Sequence, residues 1–423
     1  MFQRKKKKTA GETLTQMQTF STALAAAMGT GNLIGVASAL LLGGPGAVFW
    51  MWVSALLGMM LTYTENRLAM RYAKDGVRGP MAYLHYGLHS PVLAGCYALL
   101  CVGASFGMGN MTQSSVIAFL AQEAFSVPAW ATGLVTAAVL CVILLRGAKG
   151  TGGVLQWLMP LLATGYMLAA LAVILWHKSA IFPSFQKILE GAFGFDAISG
   201  GISGAVLRRA VETGLRHGVF SNEAGLGSSA LVHAGGDSKD GDLQGLWSMT
   251  EVALDTLVCC TLTALAILTS GAWSADTADT AGELLTAAFS TIFGAAAPRI
   301  LSVVTALFAF CTLIGWCCCG EQAVVYLFRR SDKFARRIYR LLFCMLAGLG
   351  AVLSLQTVWE LSDIANGLMA IPNLLGLLLL QKSNRVDISE KSTEASKKTE
   401  RKGSRIVQNA KFFRNSIDKV GRS

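Results

Sequence analysis

The sequence predicts an all-α integral membrane protein of about ten transmembrane helices, arranged as two inverted five-helix repeats in which helices 1 and 6 are broken. Three observations predict it: an apolar composition, basic residues gathered in every second loop, and interruptions in two spans that open successive groups of five. Hydrophobic residues make up 53% of the chain, charged residues only 14%, and the mean hydropathy is +0.50. A soluble domain of this length does not tolerate such a surface, so the solvent around most of the chain is lipid.

A bilayer core asks for about 20 apolar residues per helix. Such stretches fall near 16–42, 47–72, 91–125, 128–146, 154–177, 201–234, 243–271, 299–328, 335–355 and 358–381. Unpaired amides cannot face hydrocarbon and these runs are too long for barrel strands, which leaves helices. The expected organisation is a basic N-terminus (1–15), a first repeat (16–177), an interfacial segment (178–200), a second repeat (201–381) and a basic, disordered tail (382–423). Gly282 to Ala297 reads as a second interfacial stretch.

The net charge of +11 raises nucleic acid as a partner, but the positions of the cations speak for a lipid bilayer instead. Arg4 to Lys8 precede span 1, Arg67, Arg71, Lys74 and Arg78 follow span 2, Arg146 and Lys149 follow span 4, and Arg329 to Arg337 follow span 8. Alternate loops are short (Gly43 to Gly46, Ser126 to Pro128) or acidic (Asp276, Asp279, Glu283). The positive-inside rule then puts the basic loops and both termini in the cytoplasm, in agreement with an even number of spans.

Two spans are abnormal. In span 1, Gly29-Thr30-Gly31-Asn32 interrupts an apolar helix with residues that weaken it and offer hydrogen bonds to freed backbone groups. Span 6 carries Arg208, Arg209, Glu212, Arg216, His217 and Glu223 at or near membrane depth, where charges are costly and mark a functional site by default. Arg208 with Glu212, and Glu212 with Arg216, stand four apart and can pair. Close helix packing through Gly31 and Gly35 would explain span 1 alone, and an interfacial amphipathic helix would explain span 6 alone. Together, in register, they match transporters whose substrate and ion site forms where two broken helices meet.

Other classes find little support. All ten cysteines lie in apolar runs, and Cys317, Cys318 and Cys319 point in different directions on a helix, so neither a disulfide framework nor a metal site is expected. No HExxH or GxSxG motif suggests an enzyme. Glu251 and Asp255 share a face of span 7 near its cytoplasmic side, either to meet the arginines of span 6 or to sit at the lipid interface.

At MGTGNLIGVASALLLGGPGAVFWMWVSALLGM (Met28 to Met59) and HGVFSNEAGLGSSALVHA (His217 to Ala234) the sequence closely resembles the alanine or glycine:cation symporter family. FGMGNMTQ (Phe106 to Gln113), EVALDTLVCCTLTALAILTSG (Glu251 to Gly271), LFAFCTLIGW (Leu307 to Trp316) and LSDIANGLMAIPNLLGLLLL (Leu361 to Leu380) resemble its signatures in the same order. The resemblance implies sodium-coupled import of alanine, glycine or a similar small neutral amino acid across the plasma (inner) membrane, on the leucine-transporter-like fold and with no cofactor. A membrane protein that binds an amino acid without cycling is the alternative.

A zwitterion at the midplane needs donors for its carboxylate and acceptors for its ammonium, and broken helix ends supply both. The expected substrate site is therefore Thr30, Gly31 and Asn32 with Phe220, Ser221, Asn222 and Glu223, joined by Asn110 and Gln113, three apart on span 3. The resemblance adds Thr312 and Trp316 on span 8, with Trp316 either capping the space beside a short side chain or anchoring at the interface. For sodium, a hard cation, it implies the carbonyls near Ala25 and Met28 and the hydroxyl of Thr312. Cys311 stands where relatives usually carry Ser or Thr, and a thiol is a poor sodium ligand. Relatives also commonly carry a further apolar span ahead of the GTGN helix, where this sequence has MFQRKKKK; the ten-helix core is expected to be complete without it.

Overall fold

The computed structural model describes residues 14–193, 203–238, 240–273, 280–328, 332–354, 358 and 362–381. The basic N-terminus, the tail and the loops holding Asp276, Asp279, Arg329 and Arg330 lie outside the described residues. Helices account for the elements throughout: α1 (Gln16–Ala27), α2 (Ile34–Gly43), α3 (Gly46–Tyr72), α4 (Pro91–Phe125), α5 (Ala129–Leu145), α6 (Gly147–Trp176) and α7 (Ile181–Phe193). Then follow α8 (Ser203–Asn222), α9 (Ser228–His233), α10 (Gly241–Thr269), α11 (Ala281–Phe293), α12 (Ala297–Leu327), α13 (Asp332–Gly350) and α14 (Ser362–Gln381). Among the described residues, six helical stretches are long and apolar enough to cross a membrane by length and composition. Contacts group residues 1–374 as one unit and 375–423 as another; of the second, only the helical end 375–381 is described.

Local chemistry sets the ends of the first span. Thr15 caps α1 in a reciprocal box, its hydroxyl accepting from the Gln18 amide at 3.3 Å while Gln18 Oε1 accepts from the Thr15 amide at 3.1 Å. The helix stops at Met28, and Thr30–Asn32 form a single 3₁₀ turn before α2. In span 6, α8 ends at Asn222 and α9 begins at Ser228. Between them Glu223, Gly225 and Gly227 all take positive φ, at 54°, 90° and 76°. Glutamate pays for that left-handed conformation in strain, so its surroundings must hold it there.

Helices approach closely where side chains vanish. A Cβ at Gly214 would lie 2.4 Å from the Ala47 carbonyl, and one at Gly218 2.6 Å from Ser54 Cβ, so a small-xxx-small pair seats α8 on α3. Gly315 likewise lets α12 touch the backbone of α1, where its Cβ would come 2.8 Å from the Ala26 amide. Helix α7, expected along the interface, buries Ser184, Ile188 and Ala192. Gly46 and Gly191 bring its backbone against the start of α3. Two of the long helices widen into π turns, α4 at Gly107–Thr112 and α10 at Ala253–Cys260, and both turns lie beside the breaks.

The charges of span 6 divide differently from the simple i,i+4 chain. Arg208 pairs with Glu212 at 2.7 Å, with both side chains well exposed, but Arg216 reaches across to Asp363 instead of back to Glu212. All ten cysteines are free, and no cluster of metal-ligating side chains occurs among the described residues. Replacing Gly315 with Val should lower the apparent melting temperature of the purified protein, because overpacking a tight contact costs about 1–3 kcal/mol. Gly153→Ala, whose added methyl meets nothing within 4 Å, should not lower it.

Candidate functional site

Breaking a helix inside a membrane protein frees backbone groups that need partners. At the first break Asn32 takes over. The Gly29 amide, which in an unbroken helix would donate to the Ala25 carbonyl, donates instead to Asn32 Oδ1 at 3.1 Å. The Asn32 amide nitrogen turns the other way, donating to Asp255 Oδ1 at 2.7 Å and to the Asp255 carbonyl at 3.0 Å on α10. Thr30, Gly31 and Asn32 are all buried.

The second break converges on the same carboxylate. Ser221 donates to Asp255 Oδ2 at 2.6 Å, and Thr256 donates to it at 2.8 Å. Gly31 faces Phe220 directly, since a Cβ there would sit 3.5 Å from the ring and 3.7 Å from Ser221 Cα. Asp255 is fully buried and joins the two breaks through Asn32 and Ser221. It therefore meets neither the span 6 arginines nor a lipid interface, the two partners the sequence suggested. The signal that could have found it was an acid inside an apolar run; four-residue spacing from Glu251 drew attention to the shared face instead. Glu251 bonds His233, with Nε2 and Oε1 2.5 Å apart, and accepts from Ser229 at 2.9 Å. Gln244 links that histidine to Gln16 at the start of α1.

Glu223, strained at positive φ, is clamped from both sides. Trp316 Nε1 donates to one carboxylate oxygen at 2.8 Å and Ser228 Oγ to the other at 2.6 Å. Trp316 is completely buried, which removes the interfacial-anchor alternative. Its position depends on Gly109 in the α4 π turn, where a Cβ would lie 2.3 Å from Trp316 Cβ. Asn222 Oδ1 accepts from the Ala224 amide at 3.0 Å, and its Nδ2 is buried with no partner among the described residues.

The π turn also separates Asn110 from Gln113, which a regular α-helix would put on one face. Gln113 turns toward the first break, accepting from Thr30 Oγ1 at 3.5 Å. Asn110 donates to the Phe343 carbonyl of α13 at 2.7 Å. On α12, Thr312 Oγ1 stands where a Cβ on Gly29 would come within 2.6 Å of it, so this hydroxyl abuts the first break. Ala25, Met28 and Cys311 are buried. The Ala25 carbonyl, released from Gly29, and the Thr312 hydroxyl are oxygens of the kind a hard cation selects.

A further residue escaped the sequence reading altogether. Glu65 on α3 is buried, and Asn373 donates both to it at 2.6 Å and to the Gly225 carbonyl of the second break at 2.8 Å. Tyr83 in turn bonds Asn373, and Tyr97 donates to the Leu226 carbonyl at 2.8 Å. Among the described residues, neither Glu65, Glu223 nor Asp255 pairs with a lysine or arginine.

The sequence model of the sodium:alanine symporter family matches residues 1–405. The chain is 38% identical over 389 residues to the sodium/alanine symporter AgcS of Methanococcus maripaludis, covering 90% of this chain and 84% of that relative. It is 36% identical over 375 residues to the probable sodium/glutamine symporter GlnT of Bacillus subtilis, covering 87% and 77%. Among solved structures, MhsT in complex with L-phenylalanine has a similar fold, with a TM-score of 0.61 at 13% identity over 87% of this chain and 88% of that one.

Removing one donor from the shared carboxylate should be costly. Ser221→Ala leaves a buried acceptor short of a partner, worth about 1–3 kcal/mol, and should lower thermal stability in detergent. Thr250→Ala, on an exposed face of α10, should leave it unchanged.

Proposed function

Because the chain belongs to the sodium:alanine symporter family, we propose that it imports a small neutral amino acid such as alanine or glycine together with sodium, by alternating access across the plasma membrane. The family is one of transporters, not enzymes. The proposed fold has ten transmembrane helices in two inverted five-helix repeats, α1 with α2 opening the first and α8 with α9 opening the second, and both termini in the cytoplasm.

One observation carries it most: the two helix breaks meet, with Gly31 against Phe220 and with Asn32 and Ser221 on one buried aspartate. In this reading the amides at the starts of α2 and α9 receive the substrate carboxylate, and the carbonyls at the ends of α1 and α8 receive its ammonium group. Thr30, Gly31, Asn32, Phe220, Ser221, Asn222 and Glu223 form the core of the substrate site, with Gln113, Asn110 and Thr312 around it. Trp316, fixed by Glu223 and Gly109, limits side-chain length and so favours small substrates.

Sodium travels as a second substrate. The carbonyls of Ala25 and Met28 and the hydroxyl of Thr312 are its ligands in this reading, oxygens of the kind a hard cation selects. Cys311 beside Thr312 contributes packing and little affinity, because sulfur is soft. Alternating access then requires the contacts on the cytoplasmic side, such as the Gln16, Gln244, His233 and Glu251 chain that ties α1 to α9 and α10, to open in one state and close in the other.

Labelled alanine should accumulate in proteoliposomes only with an inward sodium gradient; uptake indifferent to every cation gradient would remove the coupling, and saturable binding without counterflow would instate a non-cycling binding protein. Asn32→Leu should raise the apparent substrate constant by at least about tenfold, the equivalent of losing one buried hydrogen bond, while the protein still inserts. Cys311→Ser should shift the sodium activation curve to lower concentration. A curve that does not move leaves Cys311 as packing alone.

A further inference from the structure

A large cavity lies away from the breaks. It has a volume of about 1230 Å³ and is walled by the ends of α5 and α12, the starts of α6 and α13, residues of α9 and the loop at 75–78. None of the residues of the candidate site lines it. Six cationic side chains do, Arg78, Arg146, Lys333, Arg336, Arg337 and Arg340, against two carboxylates, Asp75 and Glu321.

The arginines are already arranged for an oxyanion. The buried Glu321 carboxylate is gripped by Arg340 through Nε at 2.7 Å and Nη2 at 2.9 Å, and by Arg336 Nη1 at 2.6 Å. Such forked donation is what guanidinium offers to carboxylates and phosphates alike. Glu321 engages only part of the positive charge. Arg146 and Arg337, from two separate elements, have no carboxylate partner among the described residues.

The rim is of the opposite character. Leu145 and Leu341 line the same cavity and are 74% and 51% exposed. Exposed leucines beside exposed arginines, at the level where two apolar helices end, reproduce the chemistry of a headgroup boundary: hydrocarbon on one side, anion on the other. A soluble phosphate would use the cations and make no contact with the leucines.

We propose that this cavity binds the phosphate-bearing headgroup of an anionic phospholipid, with Arg146 and Arg337 on the phosphate and the acyl chains along Leu145 and Leu341. The inference goes beyond the transport reading and does not depend on it, since a chain that moves no substrate can still retain the lipid.

The test uses the full chain reconstituted in phosphatidylcholine with or without phosphatidylglycerol, then released in detergent and examined by native mass spectrometry. Phosphatidylglycerol should be retained over phosphatidylcholine. The double variant Arg146→Gln/Arg337→Gln should weaken retention roughly 30-fold, from about 1 kcal/mol for each cation near the surface, and Arg337→Gln alone about fivefold. Arg71→Gln, in the last turn of α3 and outside the cavity lining, should have no effect. Equal loss in Arg71→Gln would assign the effect to general surface charge and overturn the proposal. Arginine-dependent stabilisation by inorganic phosphate, without any preference between the lipids, would make the ligand a soluble anion and overturn the lipid assignment. No preference for phosphatidylglycerol in the unaltered chain would overturn it outright.

Discussion

Asn32 and Asp255 hold together what the two helix breaks would otherwise leave open. Within a membrane protein each freed amide or carbonyl must find a partner, since no bulk water is available to supply one. Asn32 uses both ends of its side-chain amide, taking the Gly29 amide with its oxygen and giving its nitrogen to Asp255. Asp255 spends its second oxygen on Ser221 from the other break. One asparagine and one aspartate thus make two irregular segments, far apart in sequence, mutually dependent. A change at either break is transmitted to the other through a single carboxylate.

Close packing makes this arrangement possible. Gly214 and Gly218 seat α8 against α3, Gly315 seats α12 against α1, and Gly109 leaves the space that Trp316 fills. The π turns in α4 and α10 are the matching device on the neighbouring helices. Each adds backbone width at the depth of a break, and in α4 it redirects Gln113 toward Thr30 while Asn110 faces α13. The backbone irregularities of four helices are therefore one feature and not four.

Charge is distributed in two contrasting ways. Around the breaks, Glu65, Glu223 and Asp255 are held by neutral donors such as Asn373, Trp316 and Ser221, which satisfy the oxygens without bringing a cationic side chain to them. Around the large cavity, arginines outnumber acids and Glu321 is fully engaged by two of them. Acids held by neutral donors mark the breaks, and an excess of arginine marks the cavity, which suits the anionic headgroup proposed for it.

Much of the fold was legible from sequence alone, because it depends on local quantities. Composition and the lengths of apolar runs require membrane helices, the residues Gly29 to Asn32 announce a break through intrinsic backbone preference, and span 6 stands out through charges inside an apolar run. Family motifs carried the class of activity. What sequence could not reveal is where polar side chains point once a helix leaves regular geometry. Spacing of three put Asn110 with Gln113 only on the assumption of 3.6 residues per turn, which the π turn violates. The same rule put Asp255 on one face with Glu251, facing the span 6 arginines or the lipid interface, yet Asn32 and Ser221, more than 30 residues away in each case, claim it. Glu65 gave no periodic signal at all, since its partner Asn373 lies 308 residues along the chain. Helix identity follows from neighbours in sequence; the pairing of buried polar groups follows from neighbours in space, and only the tertiary structure decides those.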